Sequence, residues 1–206
     1  MGRAVAAPLA RLDRRPWRKR APDAVRQARV EDGQGQTEPA ADGGRHRGAQ
    51  LRLESVGNAI DQAEATIDLL LTTQAEIGAA GGANPERYEA VATGKALREF
   101  QDDATRIAEG PILNEDGESI EGQSTVEGSL IFEPATGYGQ EYEGIANGLV
   151  IVPGCLDGSQ RKITTADGKP AMQNPNPRNE VEFHVIYNAE TKTWLVNDRI
   201  SLGTTC

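Results

Sequence analysis

Two cysteines, two histidines and two methionines are all that 206 residues hold of those types. Each shortage excludes something. A structural zinc site takes about four Cys or His ligands, and two cysteines without a histidine cluster do not supply them. Nucleophilic catalysis by a cysteine–histidine pair has no readable candidate, since neither Cys155 nor Cys206 lies close in sequence to a histidine. A membrane-spanning helix needs roughly 18 or more consecutive apolar residues, and no stretch reaches that length. Nor does an apolar run of roughly 7–15 residues follow the early arginines, so residues 1–50 as given carry no readable secretory signal.

Positive charge is scarce everywhere but at the start. Residues 1–52 hold 12 Lys and Arg against 6 Asp and Glu, whereas the remainder holds 10 against 25. The formal net charge of −9 thus comes from an acidic body behind a basic leader. An acidic body repels phosphate, which argues against nucleic acid as the main partner. The leader is Arg, Ala, Gly and Pro with Trp17 as its single aromatic. Such a segment buries too little apolar surface to offset the entropy of ordering it. Residues 1–50 are therefore expected to be a disordered basic tail, or to precede a start placed elsewhere, and residues 51–206 to form the domain.

From Leu51 onward periodicity appears. Leu53, Val56, Ile60, Ala63, Ile67 and Leu70 recur at helical spacing, and the face runs on through Leu71 and Ile77 before "GAAGGAN" interrupts it. The spacing predicts a helix over about 51–78, its stripe a core face. "NPERYEAVATG" predicts a second helix over 85–92, with Asn84 as N-cap and Pro85 at the first position. A third, over 94–109, places Leu97, Phe100, Ala104 and Ile107 on one side and stops at "EGP".

After Pro111 the segments "STVEGSLIF", "GLVIVPG", "EVEFHVIY" and "TWLVNDRISL" are β-branched and aromatic, divided by Gly, Pro, Asn and Asp. Strands are expected from about 111 to 203. Val181, Phe183, Val185 and Tyr187 share one face of a strand; Glu182, His184 and Ile186 share the other. "NAETKT" reads as the loop of a hairpin into a last strand that begins near Trp194. That ring is expected to cover the core face of the sheet, so that its truncation costs about 3–5 kcal/mol. Helices first and adjacent strands later give an α+β fold, with an antiparallel sheet covered on one face by helices.

Three passages carry a resemblance. "YEAVATGKALREFQDDATRIAEGP", "VIVPGCLDGSQ" and "VEFHVIYNAETKTWLVNDRISLGTTC" resemble the small extracytoplasmic proteins of actinobacteria, often lipoproteins, with a nuclear transport factor 2-like fold. The resemblance implies a strongly curved sheet wrapped against the helices as a cone, and a location outside the cytoplasm. It implies no particular activity, because that fold hosts isomerases, secretion scaffolds and dimerisation modules alike. Members usually open with a signal peptide and a lipid-carrying cysteine, and residues 1–50 show neither.

Chemistry is sparse. Glu182 and His184 are spaced to share one strand face and form an acid–base couple, or simply a polar pair on an outer face. Tyr138 and Tyr142, among glycines in "TGYGQEYEG", are placed either to rim a pocket or to pack a hairpin tip. "NEDGESIE" lacks the ligand spacing of a calcium loop and reads as a turn. "GAAGGA" has neither a preceding strand nor a Lys-Ser/Thr and reads as a helix–helix loop rather than a phosphate cradle. No catalytic residue, metal or cofactor is expected. Enzymes of the resembled fold place an Asp with Tyr or His inside the cone, whereas the inward set Val181, Phe183 and Val185 is apolar.

The two cysteines are expected to pair, Cys155 at the end of a strand with Cys206 at the end of the chain. The alternative is two reduced thiols, which favour burial, and a residue following "GTT" at a terminus is badly placed for that. Such a bond persists where the surroundings are oxidising. The reading is a non-enzymatic, extracytoplasmic binding or interaction module at the cell envelope. Its alternatives are a small-molecule enzyme using the cone, or a scaffold subunit of a conjugation or secretion apparatus. An unidentified ligand, an envelope protein and a second copy meeting through the sheet are the partners left open. Deleting residues 1–50 is expected to leave the melting temperature unchanged, and a fall of several degrees would contradict the tail reading.

Overall fold

A stripe of apolar residues and a sheet with one apolar face have to find each other, and the computed structural model shows how they do. It describes the backbone from residue 43 and the side chains from residue 56 to the end of the chain. The tail expected over residues 1–50 falls mostly outside the described residues. Helix α1 runs Gly43–Ala79, its start eight residues earlier than the periodicity alone places it. Arg, Ala, Gln and Leu around residues 45–53 are good helix formers that need no apolar stripe to extend a helix backward.

Within α1, Ala59, Ala63, Ile67, Leu70, Leu71 and Ile77 are buried, the face that the spacing marks. Leu53 has no described side chain. Gly81 and Gly82 then turn the chain at positive φ, and the amide of Gly82 caps the carbonyl of Ile77 at 2.9 Å. A Cβ at Gly82 would run into the backbone of Ala104 and Ala108, so glycine also sets how closely the next helix approaches.

Pro85–Ala90 is a 3-10 turn rather than the α-helix expected over 85–92. Asn84 does not cap it through its side chain but sits in the left-handed region at φ 61°, a conformation Asn tolerates better than most residues. Helix α2 spans Gly94–Glu109, as expected, and buries Ala96, Phe100, Ala104 and Ile107.

Nine strands follow among the described residues: β1 (Ile112–Leu113), β2 (Ser119–Ile120), β3 (Thr125–Glu127), β4 (Ile131–Pro134), β5 (Tyr138–Tyr142), β6 (Ile145–Asp157), β7 (Lys162–Thr164), β8 (Arg178–Asn188) and β9 (Thr193–Ser201). "STVEGSLIF" therefore supplies two strands in different sheets, divided at Gly128, where φ is +75°. The main sheet is antiparallel and open. β6 lies between β8 and a shared edge where β4 and β5 follow one another, and β9 forms the other edge beyond β8. β1 with β2, and β3 with β7, make two small antiparallel ladders.

Val150 and Val152 of β6, Val181, Phe183 and Val185 of β8 and Val196 of β9 form the apolar face beneath α1 and α2. Phe183 meets Phe132 edge-on, with ring centroids 4.9 Å apart. Trp194 joins this face only at its margin. Its ring tilts against Tyr187 at 5.4 Å and its Nε1 donates to Gln62 of α1 at 3.1 Å, yet it remains partly exposed.

The free edge of β9 is met at one point by the segment before α2. The amide of Thr93 donates to the Val196 carbonyl at 2.8 Å, and the amide of Val196 to the Val91 carbonyl at 2.9 Å. At the chain end, Glu180 lies opposite Cys155 across the sheet and hydrogen-bonds Thr204, which brings Cys206 to Cys155. The two cysteines form a disulfide with Cα atoms 5.9 Å apart. Closing a loop of 51 positions stabilises the fold by up to about 4 kcal/mol in the chain-entropy treatment.

The burial pattern ranks two truncations. Phe183→Ala removes a fully buried ring and is expected to cost about 3–5 kcal/mol. Trp194→Ala is expected to cost roughly half as much, because part of the indole already meets water. Denaturant melts of both variants check the order, and an equal or larger loss for Trp194 would contradict it.

Candidate functional site

Three clefts adjoin along the side of α2 that faces the loops around β7. The first, about 680 Å³, is lined by Gln74, Phe100, Asp103, Leu130, Arg161 and Arg199 among others. The second, about 450 Å³, shares Leu130, Arg161 and Arg199 with it and adds Leu156, Ile163 and Met172. The third, about 480 Å³, continues past Asp103 and Met172 to Pro111 and Leu113. These volumes lie within the usual size range of small-molecule sites.

Asp103 organises the first cleft. Its Oδ2 accepts from Arg161 at 2.8 Å and from the buried amide of Gln74 at 3.2 Å; its Oδ1 accepts from Arg106 at 3.4 Å. α1, α2 and the loop before β7 are thus joined through one carboxylate. Arg161 and Asp103 are only 17 % and 22 % exposed, so water screens their attraction less than it would on an open surface. The hydroxyl of the neighbouring Tyr88 is held in its protonated form, first by burial and then by the negative charge of Asp103.

Arg199 is the second feature. Its guanidinium lies over the Phe100 ring, 5.2 Å from the centroid, and the nearest carboxylate is that of Glu99 at 3.8 Å. It reaches this side of the sheet because β9 carries a bulge. Val196 pairs with Val185 and Asp198 with the adjacent His184, which leaves Asn197 as an extra residue. Strand alternation is thereby shifted by one, and Arg199 comes opposite Phe183, on the core face.

A buried hub fixes the outer wall. Asn114, fully buried, donates to Glu118 and Asp167 and accepts from the amides of Asp116 and Glu118. Leu113 accepts from the amide of Met172 at 2.8 Å, which anchors the residue shared by the second and third clefts. The "NEDGESIE" turn, read as a turn rather than a calcium loop, holds Lys169 instead. Asp116 at 2.8 Å and Glu118 at 3.4 Å raise the pKa of that lysine to about 12.

The residues singled out from the sequence lie elsewhere. Glu182 and His184 do share a face, with His184 Nε2 3.7 Å from Glu182 Oε2, but it is the face away from the helices. His184 Nε2 is sealed from solvent and has no hydrogen-bond partner among the described residues. Tyr138 and Tyr142 begin and end β5, opposite Ile151 and Ile145; Tyr142 flanks the Glu143–Gly144 turn at the tip of the β5–β6 hairpin, Tyr138 lies farther from it, and neither lines any of the three clefts. Val181, Phe183 and Val185 face inward as expected. Asp103 and Arg199 were not picked out. The signal for Asp103 was a carboxylate at helical spacing from Phe100 and Ile107; for Arg199 it was the Asn-Asp pair that interrupts the alternation in "WLVNDRIS".

The hub carries a pH signature. Hydrogen bonds from Thr165, then from Asn114, hold Asp167 below the ordinary aspartate value of 3.8. Its stabilising contribution is therefore complete above about pH 3.8 and is lost as pH falls through the lower folded value. Asp167→Asn supplies one acceptor where the carboxylate supplies two. The variant is expected to melt below the wild type at pH 7, with the gap closing as pH drops below 3.8. Thermal melts across that range check it, and a gap that widens on acidification would contradict the assignment.

No family model matches the chain, and searches of curated proteins and of solved structures find no match either.

Proposed function

We propose that the chain is a non-enzymatic binding module of the cell envelope, with the clefts along α2 as its ligand site. The observation that carries this reading is a pair of adjoining cavities of ligand size, the first lined mostly by charged and polar side chains and the second by Leu130, Leu156, Ile163, Ala171 and Met172 beside two arginines. The α+β arrangement, two helices on one face of an open antiparallel sheet, is compatible with the nuclear transport factor 2-like cone that the sequence resembles. The Cys155–Cys206 bond supports an oxidising compartment. No helix among the described residues is long and apolar enough to cross a membrane, which is compatible with a module held at the envelope by other means.

One observation favours an enzyme: Asp103 and Tyr88 lie close together, the residue types that catalytic members of the resembled fold use. Against it, a general base needs an accessible lone pair near its substrate. The Asp103 oxygens already accept from Arg161, Gln74 and Arg106. Binding is the reading that this geometry supports better.

Two experiments test the proposal. Anilinonaphthalene sulfonate, an anion that fluoresces on entering apolar sites, is expected to bind the purified protein saturably, and Met172→Glu, which places a like charge in the cleft, is expected to abolish the signal. Binding that never saturates, or that ignores Met172→Glu, would contradict a cleft site. For the compartment, protein recovered from its native cells is alkylated without reductant and its intact mass measured. No modified cysteine is expected, and two modified thiols would overturn the export reading.

A further inference from the structure

We infer that the ligand of the second cleft is an amphipathic carboxylate, its headgroup on Arg199 and its apolar tail against Leu130, Leu156, Ile163 and Met172. The inference rests on reading the clefts as the ligand site and adds the chemical class. The body of this protein is strongly acidic, yet the only charged side chains lining the second cleft are Arg161 and Arg199. Such a cleft sets a local positive charge against the sign of its surroundings.

The two arginines are not equivalent. Arg161 is already matched, at 2.8 Å, by Asp103. The guanidinium of Arg199 makes no hydrogen bond among the described residues. Glu99 at 3.8 Å is beyond hydrogen-bond reach, while Phe100 holds the group from one side. Five N–H donors on a side chain 31 % exposed are thus left to solvent or to a ligand. Their planar fork matches a carboxylate, which can take two parallel hydrogen bonds.

Charge limits the headgroup. Lys95, Arg106, Arg161 and Arg199 form ion pairs with Glu99, Asp103 and Asp198, four positive charges against three negative, so a single carboxylate completes the balance where a phosphate dianion would overshoot it. The tail is dictated by what surrounds the headgroup. Leu130, Leu156 and Ile163 are half-buried and Met172 is 53 % exposed, so together they line the cleft with apolar surface still open to a tail. Methionine is also the side chain best able to repack around tails of differing shape.

Calorimetric titration of the full-length protein with decanoate, decanol and decylamine tests the assignment. Decanoate is expected to occupy one site, with decanol and decylamine at least about tenfold weaker, since a hydrogen bond to a charged group is worth about that factor. Arg199→Gln is expected to bring decanoate down to the level of decanol, and Arg199→Lys, which keeps the charge but not the fork, to an intermediate affinity. If decanol or decylamine bound as tightly as decanoate and Met172→Arg abolished that binding, the clefts would stand as the ligand site and the carboxylate would fall. If no amphiphile bound, both readings would fall. The comparison of the three probes on the unaltered protein needs no variant, so it decides even where Arg199→Gln does not fold.

Discussion

One extra residue in β9 governs what this fold presents. In an unbroken strand, Val196 facing the helices would put Arg199 on the opposite face with Leu195. Asn197 enters as a bulge between the pairs Val196–Val185 and Asp198–His184, and every residue after it changes face. An arginine destined for the open face of the sheet is turned onto the core side. There the floor is Phe100 and the neighbours are the walls of two clefts.

The bulge is also where α2 is seated. Gly94 opens that helix at φ +57°, and a Cβ there would collide with the Asn197 side chain. Lys95, the next residue, reaches Asp198 at 2.9 Å, and Thr93 takes the Val196 carbonyl just before the extra residue. Fixing the start of α2 on the bulge sets where its next turns fall. Glu99 and Phe100 come beside Arg199, and Asp103 comes within reach of Gln74 and Arg161. Helix, strand and cleft are one construction, and the disulfide at the other end of β6 fastens the tail that follows β9.

Much of the scaffold was legible because burial writes a period. The stripe from Ile60 to Ile77, the face of α2 and the inward set Val181, Phe183 and Val185 all obey spacings of 3.6 or 2 and lie where those spacings put them. The pairing of Cys155 with Cys206 was legible from their number and placement. What escaped was set by irregularity. A bulge reverses the faces that alternation assigns, and counting by twos from Val196 would set Arg199 on the outer face. Asp103 interrupts an apolar stripe, and only its partners on α1 and before β7, 29 and 58 residues away, explain why a carboxylate belongs there. Glu182 and His184 stood out for the converse reason: they are adjacent by local spacing, and local spacing is all a strand reveals. The clefts are made by segments distant in sequence, which no window of periodicity joins.

The central claim is that the bulge delivers Arg199 to a ligand site between α2 and β7. Nuclear magnetic resonance of the protein, with the Arg199 Nε–H and the Met172 methyl assigned, measures it most directly as decanoate is added. The account predicts that these two signals shift together and saturate at one equivalent, while Leu149, Ile186 and Leu195 on the far face of the sheet stay still. Shifts confined to that far face, with Arg199 and Met172 unmoved, would contradict it.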